Sequence, residues 1–518
     1  MLNLQTIAQS VATYAAIHPE KIAARDSRRF LTYRQWHERT NRLANALIGL
    51  GLRKGERVAI LAYNCLEWME MYIALGKAGL VAVPINFRLV APEIRYIAEN
   101  CEATAFIVQD ELIERVESIR AELPIAARRY VQFGTQRAPS GYHAYESLIG
   151  SAQPHDPKVE VTPADPFAFM YTSGTTGKPK GAIRSHGSQS LIGLVTAYDM
   201  GFARDDTGLL VMPMCHANSL YFACAFATIG GTCFIYDRKS FDPEHMLLTL
   251  AQQGAAFTSL VPTHYIMMLG LPAATKASHD MSKVRKLLVS SAPARRETKL
   301  EILEYFKNSQ LFELYGSTEA GWVTLLRPDE QLTHLGSIGR EWTGNGRTRL
   351  LDAEGNDVPE GEAGELFSHT PFVFDGYWKL PEKTAEAFRG PYCSVGDMAR
   401  RDEQGFYYLV DRKSNMIISG GENVYPSEVE TLIGQHPKVK DVAVIGLPHE
   451  KWGEAVHAVV ILHAGASAQE EELLDWCKAR IAGYKRPRSV AFIQEEEMPR
   501  TATGKIQHRL LRERLRKS

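Results

Sequence analysis

The stretch Met170-Tyr-Thr-Ser-Gly-Thr-Thr-Gly-Lys-Pro-Lys-Gly181 governs how the rest of the chain is read. A short apolar run at 167–171 predicts a strand that feeds a loop with three glycines, four hydroxyls and two lysines. Glycines let backbone N–H groups come close to an anion, hydroxyls add donors, and lysines add charge. That is the chemistry needed to hold a triphosphate. The GxxxxGK[ST] spacing of a Walker A loop fails, because Gly174 is followed by Gly177 and Lys178. A Gly/Ser/Thr surface linker is the bland reading of the same composition.

Outward from this loop, short apolar runs alternate with helical spacing. Strands are predicted at 57–61, 80–83, 105–108, 209–212, 232–236, 257–260, 286–290 and 311–315. A helix is predicted over 33–50, with Trp36, Leu43, Ala44, Leu47 and Ile48 on one face. Such alternation specifies α/β architecture with mainly parallel sheets. After about residue 335 the pattern changes to short strands joined by Gly and Asp turns. A boundary follows at Asp411-Arg412-Lys413-Ser414. Beyond it, Ser427 with Glu430 forms a capping box, and strand-like runs at 442–445, 458–461 and 490–493 outline a small α+β domain. Two domains are therefore expected, 1–413 (β-rich from about 335) and 414–518, in keeping with a 518-residue chain too long for one core.

Composition narrows the function. Lys plus Arg (59) nearly cancels Asp plus Glu (60), which gives no electrostatic case for nucleic acid. Seven scattered cysteines without a CxxC pair argue against structural zinc and a disulfide framework, and favour a reducing cytoplasm. The first twenty residues read as an amphipathic helix rather than a signal peptide, and no apolar run is long enough to span a membrane. No HRD or DFG constellation of a protein kinase is present.

Three motifs carry the chemistry. The first is the 170–181 loop. Leu314-Tyr-Gly-Ser-Thr-Glu319 ends a predicted strand in a glycine turn that presents a hydroxyl and a carboxylate. Pro499-Arg-Thr-Ala-Thr-Gly-Lys505 puts a lysine after a glycine near a basic final helix at 507–517. Together they resemble the adenylate-forming superfamily, which includes acyl-CoA synthetases, firefly luciferase and peptide-synthetase adenylation domains. The resemblance runs from Leu31-Thr-Tyr33 to Gly504-Lys505. It implies a large N-terminal domain of two αβ-type layers plus a β-barrel-like subdomain, and a small mobile C-terminal domain, with the active site between them.

By the same resemblance, Thr172, Ser173, Gly174, Thr175, Thr176, Gly177 and Lys180 bind the ATP phosphates. Ser291-Ala292-Pro293 forms an adenine-contacting turn, with Ser where the family usually has Gly. Tyr315 packs on adenine beside Glu313 and Gly316, Thr318 bonds the α-phosphate, and Glu319 with Thr172 holds Mg²⁺. Asp397 takes the ribose hydroxyls, Arg412 reaches ribose or phosphate, and Lys505 neutralises charge as the carboxylate attacks α-phosphorus. Ser414 stands at the hinge. After rotation, Gly420 and Gly421 line a path for the pantetheine arm of coenzyme A.

The resemblance further implies that His216 gates the acyl channel, with Met214, Val261, Tyr315, Gly316, Ala320 and Trp322 as its walls. No lysine or arginine stands among these, which argues against a second carboxylate or phosphate on the acid, and Trp322 with Tyr315 would shorten the pocket, favouring an aromatic, alicyclic or medium-chain acid over a long fatty chain. The implied activity is ATP-dependent ligation of a carboxylic acid to coenzyme A. The alternative is a free-standing module loading an acid or amino acid onto a carrier protein; about a dozen residues follow Lys505, too few for a carrier domain. A homodimer and a lysine acetyltransferase acting on Lys505 are further implied partners.

Overall fold

The strand–helix alternation resolves into two separate, mainly parallel sheets. The computed structural model describes residues 5–172, 178–290, 294–413, 415–419, 422–450, 452–478, 480–500 and 504–516. It divides into two units, Met1–Thr348 with Ser368–Cys393, and Arg349–Phe367 with Ser394–Ser518. The β-rich region after 335 is thus shared between them.

In the first unit a nine-stranded sheet runs, edge to edge, Arg340–Glu341, Gly321–Leu326, Gln310–Ser317, Lys286–Val289, Phe257–Leu260, Thr207–Leu210, Thr232–Ile235, Ile22–Arg25, Phe30–Thr32. Its middle is parallel, because helices such as Pro243–Gln252 and Arg296–Tyr305 return the chain between strands. Its edges are antiparallel. An eight-stranded sheet runs Gly376–Tyr377, Lys180–Ser185, Pro166–Thr172, Val81–Ile85, Arg57–Leu61, Ala103–Gln109, Tyr130–Phe133, His143–Ala144. The helix Tyr33–Gly49 starts where Thr32 and Gln35 form a reciprocal capping box, and it buries Trp36, Leu43, Ala44 and Leu47. The periodicity predicted that face.

In the second unit, Asp397–Arg401 and Tyr407–Arg412 form a hairpin. A further sheet pairs Val439–His449 with Gly453–Leu462, and Ser489–Phe492 lies parallel to the latter. Helices Pro426–Ile433, Glu470–Cys477 and His508–Leu515 complete the unit. Where the resemblance implies a barrel-like subdomain, the strands form open sheets; no barrel closes among the described residues. No helix among them is long and apolar enough to cross a membrane.

One local expectation is corrected. The helix that Ser427 was to cap begins at Pro426, whose fixed φ suits the first helical position. Ser427 lies inside it, its amide donating to Asp411 Oδ2 at 2.9 Å. Glu430 is drawn away to the Val444 amide, 2.7 Å, and to His508 Nε2, 2.6 Å. Long-range partners outcompete the local cap.

The first unit also buries a lysine. Lys77 ends the helix Glu67–Lys77, 9% exposed, with its ammonium 2.7 Å from Asn41 Oδ1 and 3.0 Å from His37 Nδ1. Burial pulls its pKa down from the ordinary lysine value to about 7. Above that pH the folded chain carries a neutral amine while the unfolded chain still binds the proton. Stability therefore rises with pH from about 7 toward the ordinary lysine pKa of about 10.4, and this gain is absent at lower pH. Lys77→Met is expected to flatten the dependence, read as the urea midpoint across that window; an unchanged slope would assign the titration elsewhere.

Candidate active site

The strand Pro166–Thr172 turns back as an antiparallel hairpin into Lys180–Ser185, so Thr172 and Lys180 face each other across its mouth. Ser173, Gly174, Thr175, Thr176 and Gly177 lie outside the described residues. On the other sheet, Gln310–Ser317 doubles back through Thr318–Ala320 into Gly321–Leu326, with a register shift between Tyr315 and Gly316. Glycine is required at 316, since a Cβ there would stand 2.4 Å from the Gly321 carbonyl oxygen. It is required again at 321, where φ is +73° and a Cβ would meet the Phe372 ring at 2.6 Å.

The two sheets meet at Glu319, 6% exposed. Its Oε1 accepts from Thr172 Oγ1 at 3.1 Å and from the Tyr377 hydroxyl at 2.9 Å, and neither bond engages Oε2. The Lys180 ammonium stands 4.0 Å from the centroid of the Tyr377 ring. Burial holds its pKa below the ordinary lysine value, and Glu319 opposes that shift. A carboxylate, a hydroxyl and an ammonium are therefore gathered beside the hairpin mouth.

Arg184, fully buried, fastens the turn from beneath. One guanidinium nitrogen donates to the carbonyl oxygens of both Thr318 and Glu319, each at 3.2 Å. The Glu319 carbonyl also accepts from the Phe374 amide at 2.7 Å, and the Tyr221 hydroxyl reaches the Thr318 carbonyl at 3.4 Å. Sequence reasoning missed Arg184 and Tyr377. The available signal was period 2: Arg184 shares a strand face with buried Ala182.

The other expected residues occupy varied settings. Glu313, 2% exposed, is committed to Lys299 Nζ at 2.6 Å and to the Ala294 amide at 3.3 Å, and burial pushes its carboxyl up against the pull of Lys299. Tyr315 is 9% exposed. Ser291, Ala292 and Pro293 lie outside the described residues. Trp322 is a core residue: its indole N–H donates to Thr196 Oγ1 at 2.8 Å, and its ring meets Tyr221, Phe222 and Trp342. Ala320 and Met214 are buried, and Val261 is half-buried before the helix Pro262–Leu269. His216 is half-buried, 3.4 Å from Asn86 Nδ2, and its pKa is pushed down to about 4 by burial and by Arg88. It is neutral at physiological pH, which suits a packing role rather than proton transfer.

In the second unit, Asp397 and Arg412 are cross-strand neighbours, Oδ1 to Nε 3.0 Å. Lys505 follows Gly504, whose φ is +84°. Although the residue as a whole is exposed, desolvation around the ammonium lowers its pKa, with Arg412 adding and Asp397 opposing. The segment closes on itself through an Arg500–Ile506 bridge. Ser414, Gly420 and Gly421 lie outside the described residues.

The AMP-binding enzyme family model matches residues 11–378, and the model of the AMP-binding enzyme C-terminal domain matches 428–505. The chain belongs to the AMP-binding enzyme family. A feruloyl-CoA synthase of Amycolatopsis is 36% identical over 494 residues, covering 95% of each chain. An indoleacetate–CoA ligase of Aromatoleum aromaticum is 33% identical, covering 96% of each. Among solved structures, the anthranilate CoA ligase AuaEII with anthranoyl-AMP superposes with a TM-score of 0.89 at 28% identity, covering 99% of this chain and 98% of that one.

Within this AMP-binding enzyme the Arg184 contacts are testable. Arg184→Met leaves two buried carbonyls without this donor. Hydrogen–deuterium exchange in peptides spanning 318–322 is expected to accelerate about tenfold or more, while the 57–61 strand is unchanged. Equal exchange in both variants would show that the turn is held without it.

Proposed function

We propose that this protein is an ATP-dependent, AMP-forming acid–CoA ligase acting on an aromatic carboxylic acid. The observation that carries the reading is the convergence of Thr172, Lys180 and Tyr377 on Glu319, in a chain similar over nearly its full length to CoA ligases. Feruloyl, indoleacetate and anthranilate, in the names of those relatives and that solved structure, are all aromatic.

In the first half-reaction an oxygen of the acid's carboxylate attacks the α-phosphorus of ATP, and pyrophosphate leaves. Lys180 and the 173–177 loop hold the phosphates, and Thr318 bonds the α-phosphate. Asp397 bonds the ribose. In the second, the sulfur of coenzyme A attacks the acyl carbonyl and AMP departs, with Gly420 and Gly421 beside the pantetheine arm and Ser414 as the hinge.

The donor set suits Mg²⁺. This ion takes one or two protein oxygens and completes its shell with phosphate and water. Glu319 and the Thr172 hydroxyl are adjacent oxygen donors, and no cluster of three or more His, Cys, Asp or Glu among the described residues could hold a metal unaided. Bound there, the ion would neutralise phosphate charge.

Lys505 is the residue whose charge the first step needs. Acetylation would remove that charge, which makes this lysine a point of control. A reducing, cytoplasmic setting fits seven buried, unbridged thiols.

The test is pyrophosphate release with ATP, Mg²⁺ and a panel of aromatic, alicyclic, fatty and amino acids, with and without coenzyme A. Turnover on aromatic acids that needs coenzyme A is expected; adenylation of an amino acid indifferent to coenzyme A would replace this reading with carrier loading. Lys505→Ala should slow pyrophosphate release about 100-fold or more. Thioester formation from supplied acyl-adenylate should stay within a few-fold. Because burial lowers the Lys505 pKa in the free protein, the alkaline fall in kcat/KM for ATP, which reports the free enzyme, should set in below the ordinary lysine range as the cation deprotonates.

A further inference from the structure

The segment that carries Lys505 is held at both of its ends, by two basic side chains of different kinds. At the near end Arg500 pairs with Asp441 of the strand Val439–His449 and donates to the Gly504 carbonyl oxygen at 3.0 Å. The Gln507 amide donates to the Pro499 carbonyl at 2.8 Å, which draws the chain on either side of the lysine together. Met498 and Leu511 are buried against Ala443, Ile445, Val459 and Ile461, with half-buried Ile506 packed on them. Those apolar contacts are non-directional: they set where the segment sits, not how its main chain is turned.

His508 closes the far end. It opens the helix His508–Leu515, three residues beyond Lys505, and its side chain is 16% exposed. Its Nε2 stands 2.6 Å from Glu430 Oε1, and the ring makes a further hydrogen bond with the main chain of Ile506, the residue next to Lys505. Glu430 belongs to the helix Pro426–Ile433, and the same oxygen accepts from the Val444 amide at 2.7 Å. One imidazole therefore joins the lysine segment to a second helix and, through the shared oxygen, to the strand Val439–His449.

The full link needs a charged ring. Burial opposes the charge, but the hydrogen bond to Glu430, the negative charges of Glu430 and of Asp411 in the strand Tyr407–Arg412, and the Ile506 main chain outweigh it. Together they raise the pKa above the ordinary histidine value. A main-chain contact that favours the charged ring is one to the carbonyl oxygen, so the ring has two acceptors to serve. Imidazolium carries an N–H on each nitrogen, whereas the neutral ring has only one. Loss of the proton therefore forces a choice between Glu430 and Ile506. A cation at the start of a helix is also opposed by the helix dipole, which leaves the acids to hold this one in place.

We infer that His508 is a positioning residue for the adenylation step, which in its cationic form orients the Lys505 main chain by bridging Ile506 to Glu430. This rests on the ligase reading above, with Lys505 acting in the first half-reaction. The bridge is complete below the ordinary histidine pKa of about 6.5 and is lost as pH rises through the raised value in the folded chain.

The experiment follows pyrophosphate release across about pH 6 to 9, spanning the histidine range, with ATP and the best acid at saturation. Thioester formation from supplied acyl-adenylate is measured beside it. Saturating ATP keeps phosphate next to Lys505, which displaces that residue's own titration to higher pH. His508→Phe is expected to slow pyrophosphate release about tenfold near neutral pH, while thioester formation stays within a few-fold and shows the variant to be folded. His508→Lys, a cation throughout the range, should restore the rate to within a few-fold and move the fall seen above neutrality in the unmodified protein to higher pH. Glu430→Gln should bring the His508 titration, read by NMR of labelled histidine, down toward the ordinary value. A wild-type rate in His508→Phe, equal slowing of both half-reactions, an unchanged pH profile in His508→Lys or an unchanged titration in Glu430→Gln overturns the assignment and leaves the ligase reading intact. Absence of turnover by the unmodified protein with every acid overturns the ligase reading and this assignment with it.

Discussion

The first unit is organised around one carboxylate. Glu319 belongs to the nine-stranded sheet, yet the groups that bond its side chain, Thr172 and Tyr377, stand on strands of the eight-stranded sheet. Arg184, also from the eight-stranded sheet, bonds the main chain of the same turn. One apolar core takes in residues of both sheets, and each sheet has a further core of its own, but non-directional burial alone would not fix one sheet against the other to within a hydrogen bond's tolerance. Directional bonds do. The position of the hairpin mouth relative to the 318–319 turn is therefore set by four side chains acting on top of the shared core.

That arrangement explains what the sequence makes legible. Local rules recover the strands 57–61 and 257–260 with their full bounds, because hydrophobic pattern and turn chemistry are properties of adjacent residues. The turn that carries Glu319 is legible because the glycine at 316 that ends the predicted strand is a local signal. Arg184 is not, since an arginine in a short strand reads as a solvated edge until the partner sheet supplies carbonyls 134 and 135 residues away. Ser427 and Glu430 fail for the same reason in reverse. A valid local cap loses to Asp411, Val444 and His508, none of which is visible within the window of a helix.

Buried polar pairs follow one logic through the first unit. Lys299 and Glu313 are 0% and 3% exposed at their side chains and neutralise each other across 2.6 Å, which ties the helix Arg296–Tyr305 to the strand that ends at the Thr318–Glu319 turn. Such a pair adds little net stability against apolar residues of equal volume, but either charge alone would be costly. What it contributes is a single permitted register between helix and strand. Asn64 acts similarly on the 211–214 segment, bonding two carbonyls and one amide. The course of the 211–214 segment is thus set by a polar side chain that faces into the protein.

The second unit presents a different electrostatic problem. Arg412 lowers the pKa of Lys505, so the two cations disfavour each other, and Asp397 offsets only part of that, being itself paired with Arg412. Desolvation of the Lys505 ammonium adds to the penalty. Lys505 thus stands beside a like charge as well as an opposite one. A polyanion would relieve the repulsion and restore the charge on the lysine, whereas a neutral ligand would do neither. The lysine is therefore most firmly cationic when an anion is bound beside it, and in the free protein the same residue is the more readily deprotonated.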